Sequence, residues 1–372
     1  MRVLVVAGEA SGDAHAAKVV RHLVARGDRV LAVGGEQLAA AGATLVAHID
    51  ALSVLGFVEV WARLPRLLAL YRKLQALLRG GELDLFLPVD FPGLNLRLAA
   101  TARRAGVPVL YYVGPQVWAW GAGRLQRLQQ CVDHVALILP FEPALYARSG
   151  VPASFVGHPL LDDPEERERG TEVDLGLFPG SRPQEVRRHL PVLLDAALLL
   201  CRKHPSLRLL VSRAPTAPAA WMGAELQARG FDAATVLESA PAARLMRRAR
   251  ALFVASGTAT LEAALAERPF AVLYRTGWVN YALARRLVRV PHIALANLVA
   301  GEGVVREFIQ QEASPAALAV EMERLLFDVA ARQQQLAGLS QVRARLGTAG
   351  ASARVAELAA RLGSRQAAAV VS

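Results

Sequence analysis

Residues 3–13 read Val-Leu-Val-Val-Ala-Gly-Glu-Ala-Ser-Gly-Asp, an apolar run that stops at a glycine and passes into polar residues ahead of a helical stretch near 14–26. An unbroken run of this kind predicts a fully buried parallel strand. The strand–loop–helix order predicts the opening unit of a doubly wound α/β fold. Ligands of such folds sit at the carboxyl ends of the strands. Close approach of a dinucleotide pyrophosphate needs glycines in GxGxxG spacing, and this loop carries Glu9, Ser11 and Asp13 instead. It argues against an NAD-dependent oxidoreductase and suits a hydroxyl-rich ligand such as a sugar. A second reading stands beside it, in which Ser11 or Asp13 simply caps the next helix.

The same alternation runs outward from this stretch. Strand candidates near 2–6, 29–34, 84–88, 108–113 and 134–139 alternate with helical stretches near 14–26, 61–79, 94–105 and 122–131. Strands separated by helices of this length form right-handed βαβ units and a parallel sheet. A charged run follows at 162–170, Asp-Asp-Pro-Glu-Glu-Arg-Glu-Arg-Gly, and reads as a linker. A second series then has strands near 173–178, 207–211, 234–238, 251–255, 269–274 and 292–296. The expected architecture is α/β: two Rossmann-like doubly wound parallel-sheet domains, a cleft between them, and a helical tail from about 315.

Composition sets bounds on function. At 372 residues the chain exceeds one ordinary core, and a hydrophobic fraction of 53% fits buried parallel strands and excludes disorder. Cys131 and Cys201 stand in helix-like segments without CxxC or Cys/His spacing, so neither a disulfide framework nor a zinc site is expected. Met1 leads straight into a strand, with no signal-peptide pattern, and no run of about 20 uncharged apolar residues follows. A cytoplasmic location is therefore expected. The net charge of +11 comes almost entirely from arginine, since lysine appears only at Lys18, Lys73 and Lys203. Such a surface favours phosphorylated substrates, nucleic acid or an acidic membrane face. No nucleic-acid-binding module or basic tail is recognisable, so nucleic acid is not expected.

The charge is concentrated at Trp61–Arg79, which holds five basic residues and no acid. Leu64, Leu67, Leu68, Tyr71, Leu74, Leu77 and Leu78 recur at helical spacing, with Trp61, Arg66, Arg72 and Lys73 alongside. A basic amphipathic helix of this type lies in a membrane interface, or packs its leucines on its own sheet and leaves its arginines in water. The segment 281–289, Tyr-Ala-Leu-Ala-Arg-Arg-Leu-Val-Arg, poses the same choice.

Several loops fall at predicted strand ends. Asp90, in Pro88-Val-Asp-Phe-Pro-Gly-Leu-Asn95, caps the next helix or accepts a proton as a general base. Tyr111–Trp120 crowds two tryptophans into one loop. Phe178-Pro-Gly-Ser-Arg182 brings backbone N–H groups of Gly180 and Ser181 and the Arg182 guanidinium to a helix start, an anion site suited to a diphosphate. Ser256-Gly257-Thr258-Ala-Thr-Leu-Glu262 places a carboxylate one turn inside a helix, where it can take two ribose hydroxyls. The two loops together describe a nucleotide-diphosphate pocket.

With these motifs on view, the chain resembles the lipid-A-disaccharide synthase family, inverting glycosyltransferases of GT-B fold. The resemblance is carried by AGEASGD at 7–13, SVLGFVE at 53–59, VDFPGLN at 89–95, YYVGPQVWAW at 111–120, LPFEPALY at 139–146, VGHPL at 156–160, PGSR at 179–182, SGTATLE at 256–262 and NLVAG at 297–301. They keep the family's order to about residue 310. Two departures are small: Ala296 stands where the family often has proline, and Gly93 where some members have a second aspartate.

The resemblance implies transfer from UDP-2,3-diacylglucosamine to 2,3-diacylglucosamine 1-phosphate (lipid X), giving a β(1→6) disaccharide 1-phosphate and UDP, with no cofactor and no metal. It implies Asp90 as base, with Glu9 and Ser11 on sugar hydroxyls. Gly180, Ser181 and Arg182 would hold the diphosphate and Glu262 the ribose. Ser256, Gly257, Thr258, Tyr274, Arg275 and Asn297 would complete the donor site. His15 and His158 sit beside these motifs without an assigned role. The expected domains are 1–160 for the acceptor and membrane, a linker at 161–172, and 173–314 for the UDP-sugar. The helices at 315–372 would pack back on the first domain or on the partner in a homodimer. Acylated substrates favour the membrane reading of 61–79, as a peripheral enzyme on an anionic inner-membrane surface. Another GT-B enzyme using a UDP-sugar, an epimerase or a peptidoglycan-type glucosaminyltransferase, is the alternative.

Overall fold

A computed structural model describes residues 1–51, 57–118, 122–163, 172–278, 281 and 290–371, with backbone alone at 57–64, 122 and 365–371. The chain divides into two compact units, Met1–Asp163 with Leu346–Ser372, and Pro164–Arg345. The first runs β1 (Arg2–Ala7), α1 (Ala10–Ala25), β2 (Arg29–Gly34), α2 (Glu36–Ala40), β3 (Thr44–His48), α3 (Phe57–Arg79), β4 (Leu85–Val89), α4 (Pro92–Arg104), β5 (Leu110–Tyr112), α5 (Ala122–Cys131), β6 (His134–Leu137), α6 (Glu142–Arg148) and β7 (Ala153–Phe155). Its sheet has the order β3-β2-β1-β4-β5-β6-β7, with parallel pairing throughout. Val3 to Ala7 are completely buried, as a central strand covered on both faces requires. The strand order reverses between β1 and β4, so the loops after these two strands flank the switch point where α/β folds bind ligands.

The quoted opening stretch contains less loop than its glycines suggest. Helix α1 starts at Ala10, with Glu9 as its extended N-cap residue, leaving Gly8 and Glu9 between strand and helix. Neither Ser11 nor Asp13 caps α1. Asp13 is buried, and its carboxylate accepts the N–H groups of Gly35 at 2.6 Å, Gln37 at 3.2 Å and Leu38 at 3.3 Å. It therefore caps α2, an element remote in sequence. A Cβ on Gly35 would stand 2.8 Å from that carboxylate, which is why the position holds glycine.

Helix α3 packs most of its described leucines on its own sheet, the second of the two readings of this segment. Leu70, Leu74 and Leu78 are buried, and Leu67, Tyr71 and Leu77 pack against the same core with Phe86 and Leu98. Burial of one such leucine stabilises by about 2 kcal/mol, so these side chains are held by their own sheet. Leu68 alone of the expected stripe, among the described side chains, is exposed, beside exposed Arg66, Arg72 and Lys73. The Lys73 ammonium donates to the Val46 carbonyl at 3.2 Å. The side chains of Trp61 and Leu64 lie outside the described residues, as do residues 53–56, Trp120, most of the expected linker (164–171) and most of the second basic segment (282–289).

The second unit runs β8 (Val173–Phe178), α7 (Pro183–Lys203), β9 (Leu209–Ser212), α8 (Ala219–Gln227), α9 (Ala233–Val236), β10 (Leu237–Glu238), α10 (Ala242–Arg247), β11 (Ala249–Ala255), α11 (Ala259–Leu265), β12 (Phe270–Tyr274), α12 (Leu295–Ala300), β13 (Glu307–Ile309), α13 (Pro315–Phe327) and α14 (Val329–Arg345). Its parallel sheet has the order β10-β9-β8-β11-β12-β13, reversing between β8 and β11. Helix α7 buries Val186, Leu190, Leu193, Leu194, Ala197 and Leu200 at three- and four-residue spacing, in a core shared with Leu177, Phe253 and Leu273. The strand expected at 292–296 is absent, because α12 begins there. The Glu307 carboxylate accepts the N–H groups of Ile293 at 2.9 Å and Ala294 at 3.0 Å. It fixes the helix start from β13, a three-residue strand that carries no apolar run. The strand expected at 234–238 is mostly the short α9, and β3 and β7 are additional strands at the edges of the first sheet.

The chain then returns to the first unit as α15 (Ala351–Val371). The Asp162 carboxylate accepts the N–H groups of Gly350 at 2.7 Å, Ala351 at 2.9 Å and Ser352 at 2.8 Å. A carboxylate is favoured at such a helix start.

Candidate active site

In the first unit the functional groups gather at the β1–β4 switch point. Asp90 and Phe91, directly after β4, both have left-handed backbones, with φ of 47° and 49°. Two consecutive non-glycine residues in that region store strain and persist only when their surroundings dictate it. Here the Asp90 N–H donates to the Tyr112 carbonyl at 3.0 Å. Its own carbonyl accepts from the Tyr111 hydroxyl and from Asn95 Nδ2, each at 2.7 Å. Asn95 is fully buried and also donates to the carbonyls of Val6 and Val89 at 3.2 and 3.3 Å, tying β1 to β4 beneath the loop. A Cβ on Gly8 would lie 2.2 Å from the Phe91 ring. Glycine at position 8 is thus what lets the two loops approach.

The backbone bonds leave the Asp90 side chain half-buried at the strand end. Burial raises its carboxyl above the ordinary range, against the Phe91 N–H that favours the charged form; the neighbouring Glu9 charge raises it further and Arg124 opposes. A carboxylate made more basic by a dry setting is a better proton acceptor. Glu9 on the facing loop after β1 and Ser11 in the first turn of α1 are exposed. Asn95 and Tyr111 are positioning groups that the sequence did not mark, because their partners are backbone carbonyls in other elements.

Two histidines beside the motifs of this unit pack on each other. His15 and His158 meet edge to face with ring centroids 6.3 Å apart. Burial lowers them to about 4 and about 3, so both rings are neutral at pH 7. His158 Nδ1 accepts the Leu160 N–H at 3.2 Å and shapes the turn after β7. Glu142 is buried at the start of α6 and accepts the Leu139 N–H at 3.1 Å; burial pushes its carboxyl up to about 8. The folded protein keeps this proton between pH 4.5 and 8, where the unfolded chain releases it. Stability from this group is therefore complete below pH 4.5 and is lost as pH rises toward 8. Glu142→Gln should remove that slope: relative to wild type it gains on the order of 4 kcal/mol between pH 5 and 8.5, measured by denaturant unfolding at each pH. Equal pH slopes in the two proteins would refute this.

In the second unit, the loops after β8 and β11 flank the switch point. Gly180 has φ of 112° and Arg182 is the extended N-cap residue of α7, with Pro183 as first helical residue. Ser181 and Arg182 are exposed, and Arg182 Nη1 donates to Glu185 Oε1 at 3.3 Å. After β11, Gly257 has φ of 146° and Thr258 is exposed at the start of α11. The Ser256 hydroxyl donates to the Ile293 carbonyl at 3.0 Å. Glu262 is half-buried in the first turn of α11. After β12, Arg275 and Thr276 line a cavity of about 300 Å³ with Arg188, Trp278, Gln310 and Gln311. Tyr274 is half-buried at the end of β12, in register with Ile309.

Asn297, expected on the donor, is instead an internal strut. It is buried, and Nδ2 donates to the Val305 carbonyl and to Glu307 Oε1, both at 2.8 Å, while Oδ1 accepts the Val305 N–H at 2.9 Å. Both amide hydrogens are spent on the turn that leads into β13.

His189 was not marked by the sequence. It is buried in α7, with Nδ1 at 2.8 Å from the Pro179 carbonyl and Nε2 at 3.0 Å from the Arg275 nitrogen and 3.1 Å from the Arg275 carbonyl. A carbonyl oxygen only accepts, so Nδ1 carries the hydrogen. In the neutral ring Nε2 then accepts the Arg275 N–H. Burial lowers the His189 pKa and favours this neutral form.

Comparison with known proteins follows the same lines. The family described as lipid-A-disaccharide synthetase matches residues 3–360. A lipid-A-disaccharide synthase of Anaeromyxobacter dehalogenans (strain 2CP-C) is 41% identical over 368 residues, 96% of each chain. One of Myxococcus xanthus (strain DK1622) is 40% identical over 369 residues, again 96% of each. Among solved structures, MurG of Acinetobacter baumannii superposes with a TM-score of 0.59 at 17% identity, covering 97% of this chain and 99% of its own. A UDP-GlcNAc 2-epimerase of Neisseria meningitidis bound to UDP-GlcNAc gives 0.66 at 12% identity, covering 96% and 99%. The glycotransferase of kitacinnamycin gives 0.63 at 19% identity, covering 97% and 98%. These likenesses speak for the GT-B fold alone, whereas full-length identity near 40% speaks for descent: the chain belongs to the lipid-A-disaccharide synthase family.

Proposed function

We propose that the protein is an inverting glycosyltransferase that joins UDP-2,3-diacylglucosamine to 2,3-diacylglucosamine 1-phosphate. The observation that carries this, given the family, is Asp90: a half-buried carboxylate with raised basicity at the β1–β4 switch point, facing Glu9. The acceptor 6-hydroxyl attacks the donor anomeric carbon, its proton passes to Asp90, and the bond from that carbon to the UDP oxygen breaks. Inversion by one displacement needs this single base and no protein nucleophile. Charge that develops on the leaving diphosphate is met by the Gly180 and Ser181 N–H groups and the Arg182 guanidinium. Glu262 takes the ribose hydroxyls, and Glu9 and Ser11 take sugar hydroxyls beside the base. The Ser256–Thr258 turn and Tyr274–Arg275 border the donor, and Asn297 acts through the turn it holds. The reading requires the acceptor of the first unit and the donor of the second to meet during turnover. It is tested by incubating the protein with both lipids in detergent and following UDP release with product mass. UDP together with a tetraacyl disaccharide 1-phosphate supports it; UDP-sugar binding without disaccharide removes the acceptor assignment.

The membrane reading enters here in narrower form. Among the described residues no helix is long and apolar enough to cross a membrane, and most leucines of α3 are spent on the core. What supports peripheral binding is the exposed face with Arg66, Arg72 and Lys73, together with the acylated, phosphorylated substrates. Each cation near an anionic surface contributes about 1 kcal/mol. Reversing all three to glutamate should weaken co-sedimentation with anionic liposomes at least about a hundredfold, with the unfolding midpoint retained. Unchanged sedimentation removes the idea.

A further inference from the structure

Three loops leave the carboxyl ends of neighbouring parallel strands of the second sheet, after β8, β11 and β12, and β11 lies between the other two. The buried His189 ring spans that interval. On one side it donates to Pro179, the residue before Gly180-Ser181-Arg182, and on the other it accepts from Arg275. The next residue, Thr276, is held from the opposite flank. Gln310 Oε1 accepts the Thr276 N–H at 3.0 Å and Gln310 Nε2 donates to its carbonyl at 3.2 Å. The carboxamide thus continues the β12–β13 pairing one step past Tyr274–Ile309. Gln310 adopts φ of 52° in doing so.

We propose that His189 is a positioning residue for anion binding: its Nδ1–H tautomer sets the distance between the Pro179–Arg182 loop and the Arg275 loop, so that the Arg182 and Arg275 guanidiniums close on one diphosphate. This rests on the reading of the Pro179–Arg182 loop as the diphosphate site. The chemistry follows from geometry. Guanidiniums on separate loops share one anion only if the loops keep their spacing, and the bonds of His189 run directly from one loop to the other. Protonation would exchange the bond from the Arg275 N–H for one to the Arg275 carbonyl, 3.1 Å from Nε2, so the ring joins the two loops in either state and the neutral ring is the one that burial favours. The charged groups around the ring are Glu185 and Arg188 of its own helix and Arg275 of the loop after β12.

The test is UDP affinity by titration calorimetry on the whole chain, without added metal, for His189→Asn, His189→Gln, Arg275→Ala, Arg182→Ala and the double variant His189→Asn with Arg275→Ala. Asparagine keeps a donor near the Nδ1 position for Pro179 and loses the acceptor for Arg275; glutamine does the reverse. Each should lose one bridge and weaken UDP about tenfold, the cost of one lost hydrogen bond read through position. Arg275→Ala should weaken UDP in wild type and have little further effect in His189→Asn, because both act through the same group. Unfolding midpoints are taken alongside, since loss of stability with unchanged UDP affinity is the mark of a merely structural histidine and overturns the proposal. Equal cost of Arg275→Ala in both backgrounds overturns it as well. Arg182 keeps the two failures apart: if Arg182→Ala weakens UDP and the His189 variants do not, only this inference falls. If Arg182→Ala has no effect, the diphosphate reading falls and takes the inference with it.

Discussion

Asp90→Asn lowers turnover by about 10²–10⁴-fold and leaves UDP binding and the unfolding midpoint as they are in wild type. The expectation of an intact fold has a specific basis. The bonds that tie the strained turn at residue 90 to Tyr112, Tyr111 and Asn95 are made by its backbone, and the Phe91 N–H that the carboxylate accepts can pass to the asparagine Oδ1. Asparagine also tolerates the left-handed conformation better than most residues. What changes is the ability to accept a proton. The pH profile of kcat/KM supplies a second check. Burial and Glu9 raise the Asp90 carboxyl, so the acid limb of the wild-type profile lies above the ordinary carboxylate range, and activity falls as pH drops through it. Turnover near wild type in the asparagine variant would falsify the assignment of the base.

Arg182→Ala is expected to cost about 10²–10³-fold in kcat/KM, the size seen when a group that meets developing charge is removed. The side chain is exposed at the N-cap of α7 and is steered by Glu185 three residues on. Its removal therefore costs little stability: exposed pairs contribute at most about 1 kcal/mol. Steady-state kinetics with both lipid substrates measures the loss. An effect below threefold would mean that the guanidinium does not meet the leaving diphosphate, and the role assigned to it would fall.

The sheet cores were legible because their strands contain continuous apolar runs: Val3–Ala7, Leu85–Val89 and Ala251–Ala255 need no partner to be recognised. The edges were not. β7 and β13 have three residues each, too few to show a period. The expected strand at 292–296 failed for a different reason. His-Ile-Ala-Leu-Ala is apolar enough for a strand, but the N–H groups of Ile293 and Ala294 are claimed by Glu307, a capping contact that local pattern does not reveal.

The site divides in the same way. Loops that expose a residue at a strand end, as with Asp90, Arg182 and Thr258, announce themselves through glycine, proline and capping chemistry. Residues that act from behind do not. His189 looks like part of a basic helix surface, in Arg187-Arg-His-Leu190, until Pro179 and Arg275 close over it. Asn297 erred in the opposite direction, since a polar residue in a recognisable motif was read as facing a ligand when it faces Val305 and Glu307. The fold itself does not choose among chemistries: an epimerase and MurG share it at 12% and 17% identity. What sets this chain apart from them is identity near 40% over its length to lipid-A-disaccharide synthases.

The cap that Asp162 places on α15 has a consequence for how the protein is made. Because the first unit is interrupted at Asp163 and resumes at Leu346, its last helix leaves the ribosome only after the whole second unit has done so. Until then Asp162 has no helix start to receive it, and the surfaces of α1, β4 and β5 that α15 covers stay open to water. Synthesis order and folding order are therefore inverted: the unit begun first is completed last, and an exposed apolar surface must be kept from aggregation throughout the translation of the intervening residues.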